Sequence, residues 1–150
     1  MKIIRLRASD ALFLAPLFLV LLLGIVVGCS SEDAPAPEAE AQTMPSGLII
    51  TQIEEGDGAS PAATDKVKMH FHGTFPDGRV FDSSVQRRSP ASFVLSSVTP
   101  CWTEALQMMK VGGKAKLVCP SEIAYGLRGL PPRIPPGSTL HFEVELLEIQ

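Results

Sequence analysis

Three regimes of hydrophobic patterning divide the chain. Lys2, Arg5 and Arg7 precede an almost uninterrupted apolar run over residues 11–27. Residues 31–45 are rich in Ala, Pro, Glu and Ser and nearly devoid of large apolar side chains. Such a segment has nothing with which to build a core, so a disordered tether is expected there. Beyond it the pattern becomes that of short structural elements. Residues 47–54 read as a first strand, closed by Gly56, Asp57 and Gly58. Residues 65–72 alternate: Val67, Met69 and Phe71 fall on one face, Lys66, Lys68, His70 and His72 on the other. That is the period of a half-buried strand. Pro76-Asp77-Gly78 makes a turn, and residues 79–82 return as the second arm of a hairpin. Residues 92–95 predict a further short strand. Thr99 is suited to an N-cap and Pro100 to the first helical position. Trp102, Ala105, Leu106 and Met109 then form one apolar stripe, and Gly112-Gly113 ends the helix. Residues 114–119 predict a strand and residues 121–137 a long loop with four prolines and three glycines. Residues 139–146 predict a final strand with Leu140, Phe142, Val144 and Leu146 inward. Five or so antiparallel strands with one short amphipathic helix make an α+β domain, a sheet wrapped on a helix.

The first regime predicts targeting rather than fold. The apolar run is somewhat short of the roughly 20 residues that span a bilayer, and a plain signal anchor is the alternative. Val26-Val27-Gly28-Cys29 resembles the lipobox of bacterial lipoproteins. The resemblance implies cleavage before Cys29 and lipidation of its thiol. A second acyl chain would make the anchor lasting, because one chain binds a bilayer only marginally. Ser30 and Ser31 lack the Asp associated with inner-membrane retention, so the outer membrane of the cell envelope is expected, facing the periplasm. The resulting division is residues 1–28 as signal peptide, 29–45 as lipidated Cys29 with its tether, and 46–150 as the folded domain. Cleavage removes Lys2, Arg5, Arg7 and Asp10, leaving ten basic and fifteen acidic side chains and a net charge near −5. No basic patch remains that would suit nucleic acid.

Familiar hydrolytic and cofactor chemistries find no carriers. A Gly-x-Ser-x-Gly elbow and a Gly-rich phosphate loop are both absent. His70 and His72 share a strand face at a spacing that suits at most a weak metal site; a solvated polar face is the plainer reading, and neither a metal nor a cofactor is expected. Cys101 and Cys119 remain once Cys29 is lipidated. In an oxidising compartment an even pair suggests a disulfide; two buried free thiols are the alternative. The surplus is aromatic and aliphatic: Phe71, Phe81, Phe93, Trp102, Tyr125 and Phe142, with Val98 and Ile134. Core packing explains such residues by default and is the reading taken for Phe93. The Pro- and Gly-rich loop around Tyr125 is not core-like, and an apolar cleft lined by the others would suit a proline ring.

Six blocks now stand in order: Phe81-Asp82-Ser83-Ser84 after Asp77-Gly78, Val98-x-Pro-x-Trp102-x-Glu104, Val111-Gly112-Gly113, Ala124-Tyr125-Gly126, Ile134-Pro135-Pro136, and Thr139-Leu140-x-Phe142-x-Val144-Glu145-Leu146. Together they closely resemble the FKBP-type peptidyl-prolyl isomerases over residues 46–150. The resemblance implies an antiparallel sheet around a short helix and catalysis of X–Pro isomerisation in protein folding. By matching position, Trp102 is the floor under the prolyl ring. Phe71, Phe81, Val98, Tyr125, Ile134 and Phe142 are its walls. Asp82 is an orienting group at the rim, paired with Arg87. Tyr125 offers its hydroxyl, and Thr99 its backbone N–H, to the substrate. Proline-containing polypeptides are the implied substrates and macrolides the implied inhibitors. Four departures from the pattern are visible. Phe71 stands for the usual Tyr, Thr99 for Ile and Cys101 for Gly, and Leu130-Pro131-Pro132-Arg133 is an unusual loop. A non-catalytic chaperone or peptide-binding module using the same cleft is the competing reading. Nothing before Gly47 reads as a long helical arm of the kind some envelope members use to dimerise, so a monomer is expected.

Overall fold

A computed structural model describes residues 40–150. The stretch read as a signal peptide, Cys29 and most of the stretch read as a tether lie outside the described residues. Seven strands form a single antiparallel sheet: β1 (Ala41–Thr43), β2 (Ile49–Glu54), β3 (Lys66–Thr74), β4 (Val80–Ser83), β5 (Ala91–Val94), β6 (Lys114–Cys119) and β7 (Leu140–Ile149). Their spatial order is β1-β2-β6-β7-β3-β4, with β5 also on β3. Among the described residues one α-helix, α1 (Pro100–Met108), packs on the inner face.

The alternation seen along the chain decides which face is inner. Val67, Met69 and Phe71 of β3 and Leu140, Phe142, Val144 and Leu146 of β7 are each at most 6 % exposed. They meet the stripe of α1, where Ala105, Leu106 and Met109 are fully buried. Each such large apolar side chain contributes about 1.5–3 kcal/mol on burial. The turn at Pro76-Asp77-Gly78 forms as expected: Gly78 takes φ +85°, a conformation open to glycine at no steric cost, and Arg79 N–H donates to Asp77 Oδ1 at 2.9 Å.

Three details depart from the sequence reading. The ordered domain begins before residue 46, because Ala41, Gln42 and Thr43 pair with Thr51, Ile50 and Ile49. Backbone hydrogen bonding supplies order here that side-chain composition does not. Thr99 occupies the N-cap position but its side chain makes no capping bond. Thr103 ties that end of the helix to the preceding turn, donating from Oγ1 to Leu95 O at 2.7 Å. Finally, the outer edge of β3 is divided. Its Lys66–Met69 half pairs with β5 and its His72–Thr74 half with β4. Phe71 sits at the division. Its backbone is satisfied by Ser84, whose Oγ accepts from Phe71 N–H at 2.8 Å and whose N–H donates to Phe71 O at 3.0 Å.

Cys101 and Cys119 form a disulfide with Cα atoms 5.9 Å apart, within the ordinary bridging range. It ties the first turn of α1 to the end of β6. Both residues are fully buried.

Candidate active site

The divided edge of β3 is where the inner face opens. A cavity of about 270 Å³ is lined there by Phe71, Phe81, Asp82, Phe93, Ser97, Val98, Thr99, Trp102, Tyr125 and Phe142. Trp102 is held at 7 % exposure by the helix stripe. Three phenylalanines pack edge-on to it: Phe71 at 5.2 Å, Phe93 at 5.5 Å and Phe142 at 5.2 Å between ring centroids. Phe81 packs edge-on against Phe142 at 5.6 Å. Edge-to-face pairs of this kind add about 0.5–1.5 kcal/mol each to plain burial and fix ring orientation. Among the described residues, the buried indole Nε1 of Trp102 has no hydrogen-bond partner, so the otherwise apolar floor residue carries one unmet N–H donor.

Only two polar side chains of strength reach this wall. Asp82, at the exit of β4, is 28 % exposed and its Oδ1 accepts from Arg87 Nη1. Its Oδ2 lies 4.0 Å from Arg133 Nη1. The Arg87 guanidinium also lies 5.6 Å from the centroid of the Phe71 ring, in cation–π range. Tyr125 hangs from the loop after β6. Burial first, and the nearby Asp82 charge second, push its phenol above the ordinary value. It therefore stays a neutral O–H donor across the physiological range. Among the described residues, Thr99 N–H donates to no backbone or side-chain group.

A family profile described as FKBP-type peptidyl-prolyl cis-trans isomerase matches residues 58–147. The chain belongs to this family. It is 56 % identical over 104 residues to the FKBP-type 22 kDa peptidyl-prolyl cis-trans isomerase of Escherichia coli, covering 69 % of this chain and 50 % of that protein. It is 45 % identical over 106 residues to FK506-binding protein 1 of Rhizopus delemar, covering 69 % of this chain and 98 % of that protein. The crystal structure of FkpA from Escherichia coli superposes with a TM-score of 0.72 at 46 % identity, covering 76 % of this chain and 53 % of that one. The chain thus spans about half the length of the Escherichia coli relatives it matches.

Within this FKBP domain, Phe71, Phe81, Asp82, Val98, Thr99, Trp102, Tyr125 and Phe142 converge on one cavity. Ile134 does not line it. It is 2 % exposed and belongs to the buried core, and its backbone closes a turn with Leu130. Phe93 corrects the core assignment made for it: it is partly exposed and forms wall, because β5 ends at the mouth. Ser97 also reaches the cavity and carried no signal in the sequence. Gly73 is a second residue that sequence reasoning passed over. A Cβ built there lies 2.6 Å from Phe81 Cζ and 3.1 Å from Phe142 Cε1. Its signal was present: it takes the inward position after Val67, Met69 and Phe71, where a large side chain is due. On the opposite face His70 Nδ1 and His72 Nδ1 lie 3.1 and 2.9 Å from the hydroxyls of Ser84 and Ser83. These histidines are half-buried partners of the hairpin rather than a freely solvated face.

Proposed function

We propose that this chain catalyses cis–trans isomerisation of X–Pro bonds in polypeptide substrates. The observation that carries the reading is the cavity itself: an open, aromatic hollow with Trp102 at its floor and a single carboxylate, already paired with Arg87, on its wall. Rotation about X–Pro is slow because amide resonance sets a barrier of about 18–20 kcal/mol. Twisting the bond removes the resonance and leaves a less polar carbonyl. Water stabilises the planar, polar form better than the twisted one; an apolar wall does not, since transfer of a polar group out of water is costly. The cavity therefore favours the twisted amide relative to bulk solvent. Trp102 and its three edge-packed rings hold the prolyl ring still while the preceding carbonyl swings. Tyr125 O–H and Thr99 N–H are free to donate to substrate carbonyls. Asp82, locked by Arg87, orients the approaching chain and transfers no proton. Lowering the barrier by about 7 kcal/mol would give a rate gain of roughly 10⁵.

A protease-coupled isomerisation assay on a proline-containing peptide tests this. Acceleration that a macrolide inhibitor of the family abolishes is expected; binding without acceleration would refute it. That second outcome would favour a holding role, for which Leu127 and Leu130, 87 % and 44 % exposed on the adjoining loop, provide apolar surface.

The same proposal extends to location. The lipobox-like Val26-Val27-Gly28-Cys29 supports a lipid anchor in the bacterial cell envelope, and Ser30-Ser31 in place of an Asp supports an outer-membrane destination facing the periplasm; we expect a monomer there. The Cys101–Cys119 bridge supports an oxidising compartment, where disulfides persist. Metabolic labelling with radioactive palmitate should mark the chain and fail to mark Cys29→Ala. Membrane fractionation and sedimentation should place it in the outer membrane as a monomer.

A further inference from the structure

We propose that Arg133 selects substrates by charge, favouring an acidic side chain beside the target proline. The proposal rests on the isomerase reading and adds a preference to it.

The backbone under Arg133 is closed on itself. Leu130 N–H donates to Ile134 O at 2.8 Å, and Ile134 and Arg133 N–H both donate to Leu130 O at 2.9 Å. Pro131 and Pro132 fix two φ angles within that turn. Gly129 enters it at φ +64°, where an added Cβ would lie 2.4 Å from Ile134 O. Ile134 anchors the exit at 2 % exposure. The turn is thus a firm mount, and what it presents is a side chain 65 % exposed to solvent.

That side chain stands at the cavity mouth. Its Nη1 lies 4.0 Å from Asp82 Oδ2, beyond hydrogen-bond length. Asp82 is the only carboxylate among the cavity-lining residues, and its other oxygen is already engaged by Arg87. Two guanidinium groups therefore share one carboxylate, and among the described residues no second carboxylate lies within 4.0 Å of Arg133. One positive charge is left over at the mouth of a chain whose net charge is −3. A guanidinium offers five N–H donors in a planar fork that fits a carboxylate on two atoms. A Glu or Asp next to the proline supplies the missing partner; a Lys there meets the surplus charge directly.

Three peptides differing only at the residue before proline (Glu, Leu or Lys) test this in the coupled assay. The reading is the ratio of kcat/KM for the Glu and Lys peptides. An exposed charge pair of this kind should give a ratio of about threefold at low ionic strength. The ratio should fall towards one at about 0.5 M salt, where charges are screened within a few ångströms. Arg133→Gln should bring it near one at low salt, and Arg133→Glu should invert it. Circular dichroism of both variants checks that the exposed turn still folds. If the wild type accelerates the Leu peptide but its Glu/Lys ratio is one, or if Arg133→Glu leaves the ratio in place, the charge selection is wrong and the isomerase reading stands. If the Leu peptide is not accelerated at all, both fall together.

Discussion

Tyr125 is the single tyrosine of the chain, so its ionisation is observable without ambiguity. Burial and the Asp82 charge both favour its neutral form and raise its pKa above 10.0. The folded chain accordingly holds the phenolic proton more tightly than the unfolded chain does. That contribution to stability is complete below pH about 10, the unfolded value, and is lost as pH rises through the folded value. The midpoint of tyrosinate absorbance should therefore lie above pH 10.0 in the native protein. Asp82→Asn should move the transition down, but leave it above the unfolded value because burial remains. A wild-type transition at the free-tyrosine position would show that the phenol is not enclosed by the cavity wall. Gly73 makes a second residue-scale test. Gly73→Ala places a methyl 2.6 Å from Phe81 Cζ, so Phe81 must leave its seat against Phe142. Overpacking of this kind costs about 1–3 kcal/mol, and misplacing a wall should lower kcat/KM by about tenfold to a hundredfold. Urea unfolding and the coupled assay measure the two effects separately.

At the scale of elements, helix α1 and the loop after β6 carry the floor and the Tyr125 wall. The disulfide joins them, since Cys101 precedes Trp102 and Cys119 ends β6. It closes a loop between positions 18 apart, for which the loss of chain entropy in the unfolded state predicts about 3 kcal/mol. Cys101→Ser with Cys119→Ser, or full reduction, should lower the unfolding free energy by about that amount in denaturant titration. Equal midpoints with and without reductant would contradict a stabilising bridge. The pairing of these cysteines was suggested by their number and compartment, with two free thiols as the alternative. Proximity between a helix start and a strand end is a property of the packed fold, and only the fold brings them 5.9 Å apart at Cα. The helix start shows the same limit. Thr99 has the right chemistry for a cap, yet its side chain makes no capping bond; the helix start is instead tied to the preceding turn at Leu95–Ser97, where Thr103 Oγ1 donates to Leu95 O.

For the whole molecule, the start of the domain is set by pairing rather than composition. A fragment beginning at residue 46 loses the three-residue ladder of β1 and the packing of Met44 against the core. It should unfold in urea with about 2 kcal/mol less stability than a fragment beginning at residue 40; equal stability would mean that β1 contributes no net free energy. The inward and outward faces of β3 and β7, the stripe of α1, the turn at Gly78 and the register of six family blocks were all legible in the sequence. Each is a local matter, settled by period, turn chemistry or residue order. The hollow was not. Periodicity says which side of a strand leaves water, but not whether a buried ring touches another ring or borders a cavity. Phe93 became wall and Ile134 became support because β3 shares its edge between β4 and β5, and because residues 130–134 fold back on themselves. Arg133 meets Asp82 across 51 positions of chain for the same reason. By itself, the sequence determined the elements, their buried faces and the family. The tertiary structure decided which of those buried residues face an opening, and which charge is left over at its mouth, because both depend on partners that no local pattern encodes.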